Sequence, residues 1–154
     1  MRLFGGKMAI SVSENIHASK ADVWKLITDI EHAEENISGI VKVNILNRPE
    51  DGVIGLKWEE TRTIFGKEAV ETMWISNAEI GSWYETTALN SGCEYTSRIE
   101  LESVEDYTKL TMSFRAKPLS LIARVFYPLS LLFNGMIKKA FEQDLKDLKS
   151  ILQK

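Results

Sequence analysis

Residues 93–117, CEYTSRIELESVEDYTKLTMSFRAK, carry the clearest periodicity in the chain. Cys93, Tyr95, Ser97, Ile99 and Leu101 share one phase of an alternating segment, and Glu94, Thr96, Arg98, Glu100 and Glu102 share the other. Successive side chains of a strand point to opposite faces, so this pattern predicts a strand with one covered side and one wet side. Glu105-Asp106 supply a turn, after which Leu110, Met112, Phe114 and Ala116 oppose Thr111, Ser113, Arg115 and Lys117. Two consecutive antiparallel strands with one apolar face demand a cover for that face.

Upstream, turn chemistry recurs at Pro49-Glu50-Asp51-Gly52, Phe65-Gly66, Gly81-Ser82 and Asn90-Ser91-Gly92. These marks predict six strands near 40–48, 53–64, 67–79, 83–90, 93–104 and 107–117, long enough to suit a strongly curved antiparallel sheet. The segments 67–79 and 83–90 alternate too weakly to fix which face Trp74 and Tyr84 take. A further strand is predicted over 9–16 (AISVSENI), with Glu14 at its wet end. It runs into a helix in SKADVWKLITDIE, where Ser19 is placed to cap the first turn and Val23, Trp24, Ile27 and Ile30 follow helical spacing. Residues 31–38 suit a short second helix or an irregular turn ending at Gly39. Downstream, Phe133, Ile137, Phe141, Leu145, Leu148 and Leu152 form a stripe opposite Lys138, Lys139, Glu142, Lys146 and Lys149, so a long amphipathic helix ends the chain. Before it, Pro128 is expected to break or kink any helix. No repeat or linker interrupts 1–154, which reads as one α+β domain with its helices on one face of the sheet.

Composition narrows the function. The 154 residues are 44% hydrophobic and 27% charged, with a formal net charge of -3. An acidic balance with no basic run argues against nucleic acid as a partner. A lone Cys93 and an N-terminal MRLFGGK without a long apolar run point to a cytoplasmic protein. His17 and His32 flank the first helix and Cys93 lies far from both, so no metal site is expected, and no cofactor motif occurs.

The opening strand running into ASKADVWKLITDIEHAEEN, together with the closing NGMIKKAFEQDLKDLKSILQK, resembles the START-like or SRPBCC superfamily of polyketide cyclases and aromatases, lipid-transfer domains and pollen-allergen-like proteins. The resemblance covers nearly the whole chain. It implies a helix-grip fold, a seven-stranded curved antiparallel sheet wrapped around a long C-terminal helix in β-α-α-β6-α order. It also implies an internal apolar cavity between sheet and helix. Both matching segments carry shape and neither carries chemistry, because the superfamily holds binders as well as enzymes.

Within that geometry the apolar lining falls to Trp58, Trp74, Tyr84, Tyr95, Met112, Phe114, Phe133, Met136 and Ile137, each of which also suits ordinary core packing. Glu60 and Arg62 share a phase with Trp58, so if Trp58 faces inward they do too. There they would orient a ligand's polar end, the alternatives being a structural ion pair or a bulge at Glu59-Glu60 that sends both outward. The expected activity is binding or transfer of a lipid, sterol or polyketide-like molecule. A cyclase or aromatase kind of enzyme and a non-catalytic interaction module are the alternatives. Residues 118–137 are apolar enough to raise membrane insertion, but Arg124, Pro128 and Asn134 oppose it, leaving a lid with transient membrane contact as the expectation.

Overall fold

The computed structural model describes residues 10–64, 66–130 and 134–153. β1 (Ile10–Ile16) leads into α1 (Lys20–Ile27), a 3-10 turn (Ile30–His32) and a short α2 (Ala33–Asn36). Six strands follow: β2 (Ile40–Asn47), β3 (Lys57–Ile64), β4 (Lys67–Glu79), β5 (Trp83–Asn90), β6 (Cys93–Val104) and β7 (Tyr107–Pro118). α3 (Leu121–Ser130) and α4 (Asn134–Leu152) close the chain. Ser19 is extended and its Oγ accepts the Asp22 amide at 3.1 Å, which satisfies one free donor of the first turn.

The strands form one antiparallel sheet in the order β1-β7-β6-β5-β4-β3-β2, so β1 crosses from one end of the chain order to pair with β7. Register shifts in β2 and at Ile75/Asn77 in β4 insert extra residues that bend the sheet. The concave face carries α4 and the α1–α2 region. Ile16, Val23, Ile75, Leu110 and Leu145 are fully buried, and Leu148 and Leu152 join the same cluster. The C-terminal half of α4 is therefore packed into the core, while its first turns stand over an open volume. Two polar ties fix the helix: Lys149 Nζ reaches Glu14 Oε1 at 2.9 Å, and Asp147 Oδ2 accepts from the Ser38 amide and hydroxyl at 2.9 and 2.7 Å.

Several expectations are corrected. β3 begins at Lys57 rather than 53, because residues 53–56 turn back with Gly55 at φ +97°. α3 runs through Pro128 to Ser130, so the proline does not break the helix at that point. Glu14 is half-buried and paired with Lys149 rather than free in water. The convex face is not uniformly wet either. Arg98 and Thr96 are buried there, with the Arg98 guanidinium 4.0 Å over the Trp83 ring, 3.9 Å from Glu85 and 3.3 Å from Glu100. β5 is covered on both sides over Trp83–Thr86, which is why its sequence lacks alternation.

Candidate functional site

A cavity of about 710 Å³ lies between the concave sheet face, the first turns of α4 and the α1–α2 region. Its position follows from the alternation of the strands. On β3 the inward phase is Trp58, Glu60 and Arg62; on β4 it is Ala69, Glu71 and Met73; on β5 it is Tyr84, Thr86 and Ala88. β6 contributes Tyr95, Ser97 and Ile99, and β7 contributes Met112 and Phe114. From α4 come Met136, Ile137, Ala140, Phe141 and Asp144. The strand centres carry small side chains, Thr86, Ala88 and Ser97, beneath a helix about 10 Å across, so the gap stays unfilled.

Nine of the eleven residues singled out from the sequence are brought together here: Trp58, Glu60, Arg62, Tyr84, Tyr95, Met112, Phe114, Met136 and Ile137. Trp74 is not among them. It pairs with Lys57 and Thr87 in the outward phase and lies on the convex face, because Met73 takes the inward position opposite Trp58. Phe133 lies outside the described residues. No register shift occurs between β3 and β4, so Glu60 and Arg62 point inward with Trp58.

Four polar side chains of the wall, Trp58, Glu60, Arg62 and Asp144, are linked. Trp58, only 2% exposed, donates its indole N–H to Glu60 Oε1 at 3.2 Å. Arg62 Nε donates to Glu60 Oε2 at 2.7 Å, and its Nη1 and Nη2 donate to Asp144 Oδ1 and Oδ2 at 3.2 and 2.8 Å. The fork-to-fork geometry fixes the guanidinium plane. Gly39 leaves it room, for a Cβ there would sit 3.2 Å from Arg62 Nη1. Burial pushes the Asp144 carboxyl above the usual range, an effect the two hydrogen bonds from Arg62 oppose without cancelling. Burial alone would lower the Arg62 pKa, but Asp144 and Glu60 outweigh it, so the guanidinium is held firmly charged. The buried Tyr84 hydroxyl donates to the Ile27 carbonyl at 2.9 Å, satisfying an acceptor at the end of α1. Burial first, and then the Glu60 charge, raise the Tyr84 pKa, so this phenol stays protonated.

Aromatic rings line another part of the wall. Tyr95 stacks on Phe114 at 5.9 Å, and Phe114 meets the edge of Phe141 at 6.0 Å. The arrangement can hold an apolar body against rings and methionines and meet one polar end with carboxylates and a guanidinium. Among the described residues no group of three or more His, Cys, Asp or Glu is placed to hold a metal ion. Nor is any described helix long and apolar enough to cross a membrane.

Comparison with known proteins gives the same architecture. The family described as "Polyketide cyclase / dehydrase and lipid transport" matches residues 7–153. A START superfamily protein from Mycobacterium smegmatis superposes with a TM-score of 0.69 at 17% identity, covering 94% of this chain and 96% of that one. The Zhui aromatase/cyclase from Streptomyces sp. R1128 superposes with a TM-score of 0.70 at 11% identity, covering 94% and 92%. The di-domain aromatase/cyclase StfQ from the steffimycin biosynthetic pathway gives 0.73 at 9% identity, covering 93% of this chain and 50% of that one. No curated protein sequence matches significantly.

Proposed function

Because the chain belongs to the polyketide cyclase/dehydrase and lipid-transport family, we propose that it binds and hands on a hydrophobic small molecule of lipid, sterol or polyketide-like kind. The observation that supports this is the cavity: about 710 Å³, in the size range of small-molecule sites, walled mostly by apolar side chains, with the Glu60–Arg62–Asp144 cluster on one side. In this reading Trp58, Tyr84, Tyr95, Met112, Phe114, Met136 and Ile137 flank the apolar body, and Glu60, Arg62 and Asp144 orient its polar end. Burial of apolar area, at about 25 cal/mol per Å², supplies most of the affinity. α3 offers Leu121, Ile122 and Val125 to solvent next to the β5–β6 turn, and this is the surface through which exchange with a bilayer would occur.

A cyclase-type reaction is the second reading. It is favoured by Glu60 and Asp144, carboxylates that Arg62 holds in fixed positions at the cavity wall, where either is placed to take a proton from a folded chain. One experiment separates the two: native mass spectrometry of protein purified from cells, repeated after addition of a synthetic poly-β-carbonyl chain. A co-purifying apolar compound recovered unchanged is the expected result. A dehydrated or cyclised product, lost in Asp144→Asn, would transfer the assignment to the enzyme. Repeatedly empty protein that also fails to bind apolar fluorescent probes would overturn both.

A further inference from the structure

The cavity wall carries an unbalanced set of charges. Its ionisable acids are Asp29, Glu60, Glu71 and Asp144, and among the described lining residues Arg62 is the only cation. Asp29 has a partner of its own at the rim, His32 Nδ1 at 2.8 Å. The guanidinium of Arg62 is shared between two carboxylates, so that group alone is one negative charge in excess. Glu71 adds another, for its described contact is the neutral amide of Asn90 at 3.1 Å.

Register makes this imbalance sharper. Glu60 and Glu71 are directly opposed in the β3–β4 ladder, both in the inward phase. Like charges facing each other across an antiparallel pair oppose folding. The fold nevertheless places two of them on the cavity side, where a bound molecule displaces the water that screens them. Hydrogen-bond capacity points the same way. Each oxygen of Glu60 and Asp144 receives one donor among the described residues, while a carboxylate oxygen accepts two. Arg62 keeps one further N–H on each terminal nitrogen, which suits an uncharged oxygen. A carboxylate brought to the same place would meet the two carboxylates already there.

We propose that the cavity selects its ligand by head-group charge, taking an apolar molecule whose polar end is uncharged or cationic and donates hydrogen bonds, and rejecting one that ends in a carboxylate, sulfonate or phosphate. This rests on the cavity being a binding site, as proposed above. The selectivity is electrostatic: Glu60, Glu71 and Asp144 repel an anionic end that Arg62, already engaged twice, does not neutralise. A hydroxyl or amine instead finds open acceptor positions on the same carboxylates.

Two dyes that share a ring system, neutral N-phenylnaphthylamine and anilinonaphthalene sulfonate, test the inference by fluorescence titration. The neutral dye is expected to bind about tenfold or more tightly. Glu71→Gln removes one carboxylate without touching the Arg62 cluster and is expected to narrow that ratio about threefold or more. On the unaltered protein, raising salt to about 0.5 M is expected to narrow it as well, because screening weakens the repulsion. Equal or tighter binding of the sulfonate, or a ratio that neither Glu71→Gln nor salt changes, would overturn charge selection and leave the binding site standing. Binding of neither dye would overturn the site itself.

Discussion

Asp144 occupies a place on α4 where the apolar stripe calls for a leucine: Ile137, Phe141, Asp144 and Leu148 are spaced by four, three and four residues. A charge there is costly unless paired, and Arg62 provides the pair from β3, 82 positions away in sequence. Removing the cation should therefore cost more than removing the pair. Arg62→Met leaves Asp144 and Glu60 facing each other inside the cavity wall; we expect a loss of about 2–4 kcal/mol, below the full range for buried pairs because the Arg62 side chain is 24% exposed. Adding Asp144→Leu should restore at least about half of that. Urea unfolding of the two variants measures it, and additive losses would sink the idea that the two side chains act as a pair. Part of this was legible in advance: the phase of Trp58 carried Glu60 and Arg62 inward with it. Asp144 escapes the sequence pattern because leucines dominate the apolar stripe of the helix, although a carboxylate interrupting that stripe is a signal for it.

At the scale of elements, the sequence marks strands well where one face is wet and poorly where both are covered. β6 and β7 show their phase outright. β5 hides it, because Trp83 and Glu85 are buried on the convex side beneath Arg98 while Tyr84 and Thr86 are buried on the concave side. Trp74 fell on the wrong face for a related reason: in β4 no alternation of polar and apolar residues separates it from Met73. α3 poses the opposite case. Its Ala123 is buried against the sheet, whereas Leu121, Ile122 and Val125 are 77%, 73% and 68% exposed. Gly92 permits that seating, because its φ of +76° needs no side chain and a Cβ would lie 2.5 Å from Ser120 Oγ. Three exposed aliphatic side chains on one short helix contribute to affinity for a bilayer surface without spanning it. Wild-type protein should float with liposomes, and Ile122→Asp should reduce the floated fraction about threefold or more with unchanged circular dichroism. Equal flotation of the two proteins, or none of the wild type, would remove α3 from any role at a membrane.

For the whole molecule, the long helix divides its work along its length, packing Leu145, Leu148 and Leu152 into a closed core and leaving Met136, Ile137 and Ala140 above open space. The cavity of about 710 Å³ opens to solvent, so its apolar lining forgoes the packing contacts that a filled core would make. A molecule that enters restores them and binds only the folded state, so it must raise the unfolding temperature. At a free concentration of about 100 times its dissociation constant the stabilisation is about 2.7 kcal/mol, or roughly 5–10 °C for a domain of this length. N-phenylnaphthylamine should produce that shift in the wild type. Ala88 is the place to block it: the residue is 7% exposed, lies mid-strand on β5 and faces the volume opposite α4. Ala88→Phe should fold, hold its own melting temperature or raise it, and respond to the dye by less than about 2 °C. If the filled variant responds as strongly as the wild type, the dye is stabilising some other part of the surface, and the space under α4 is not where this protein receives its ligand.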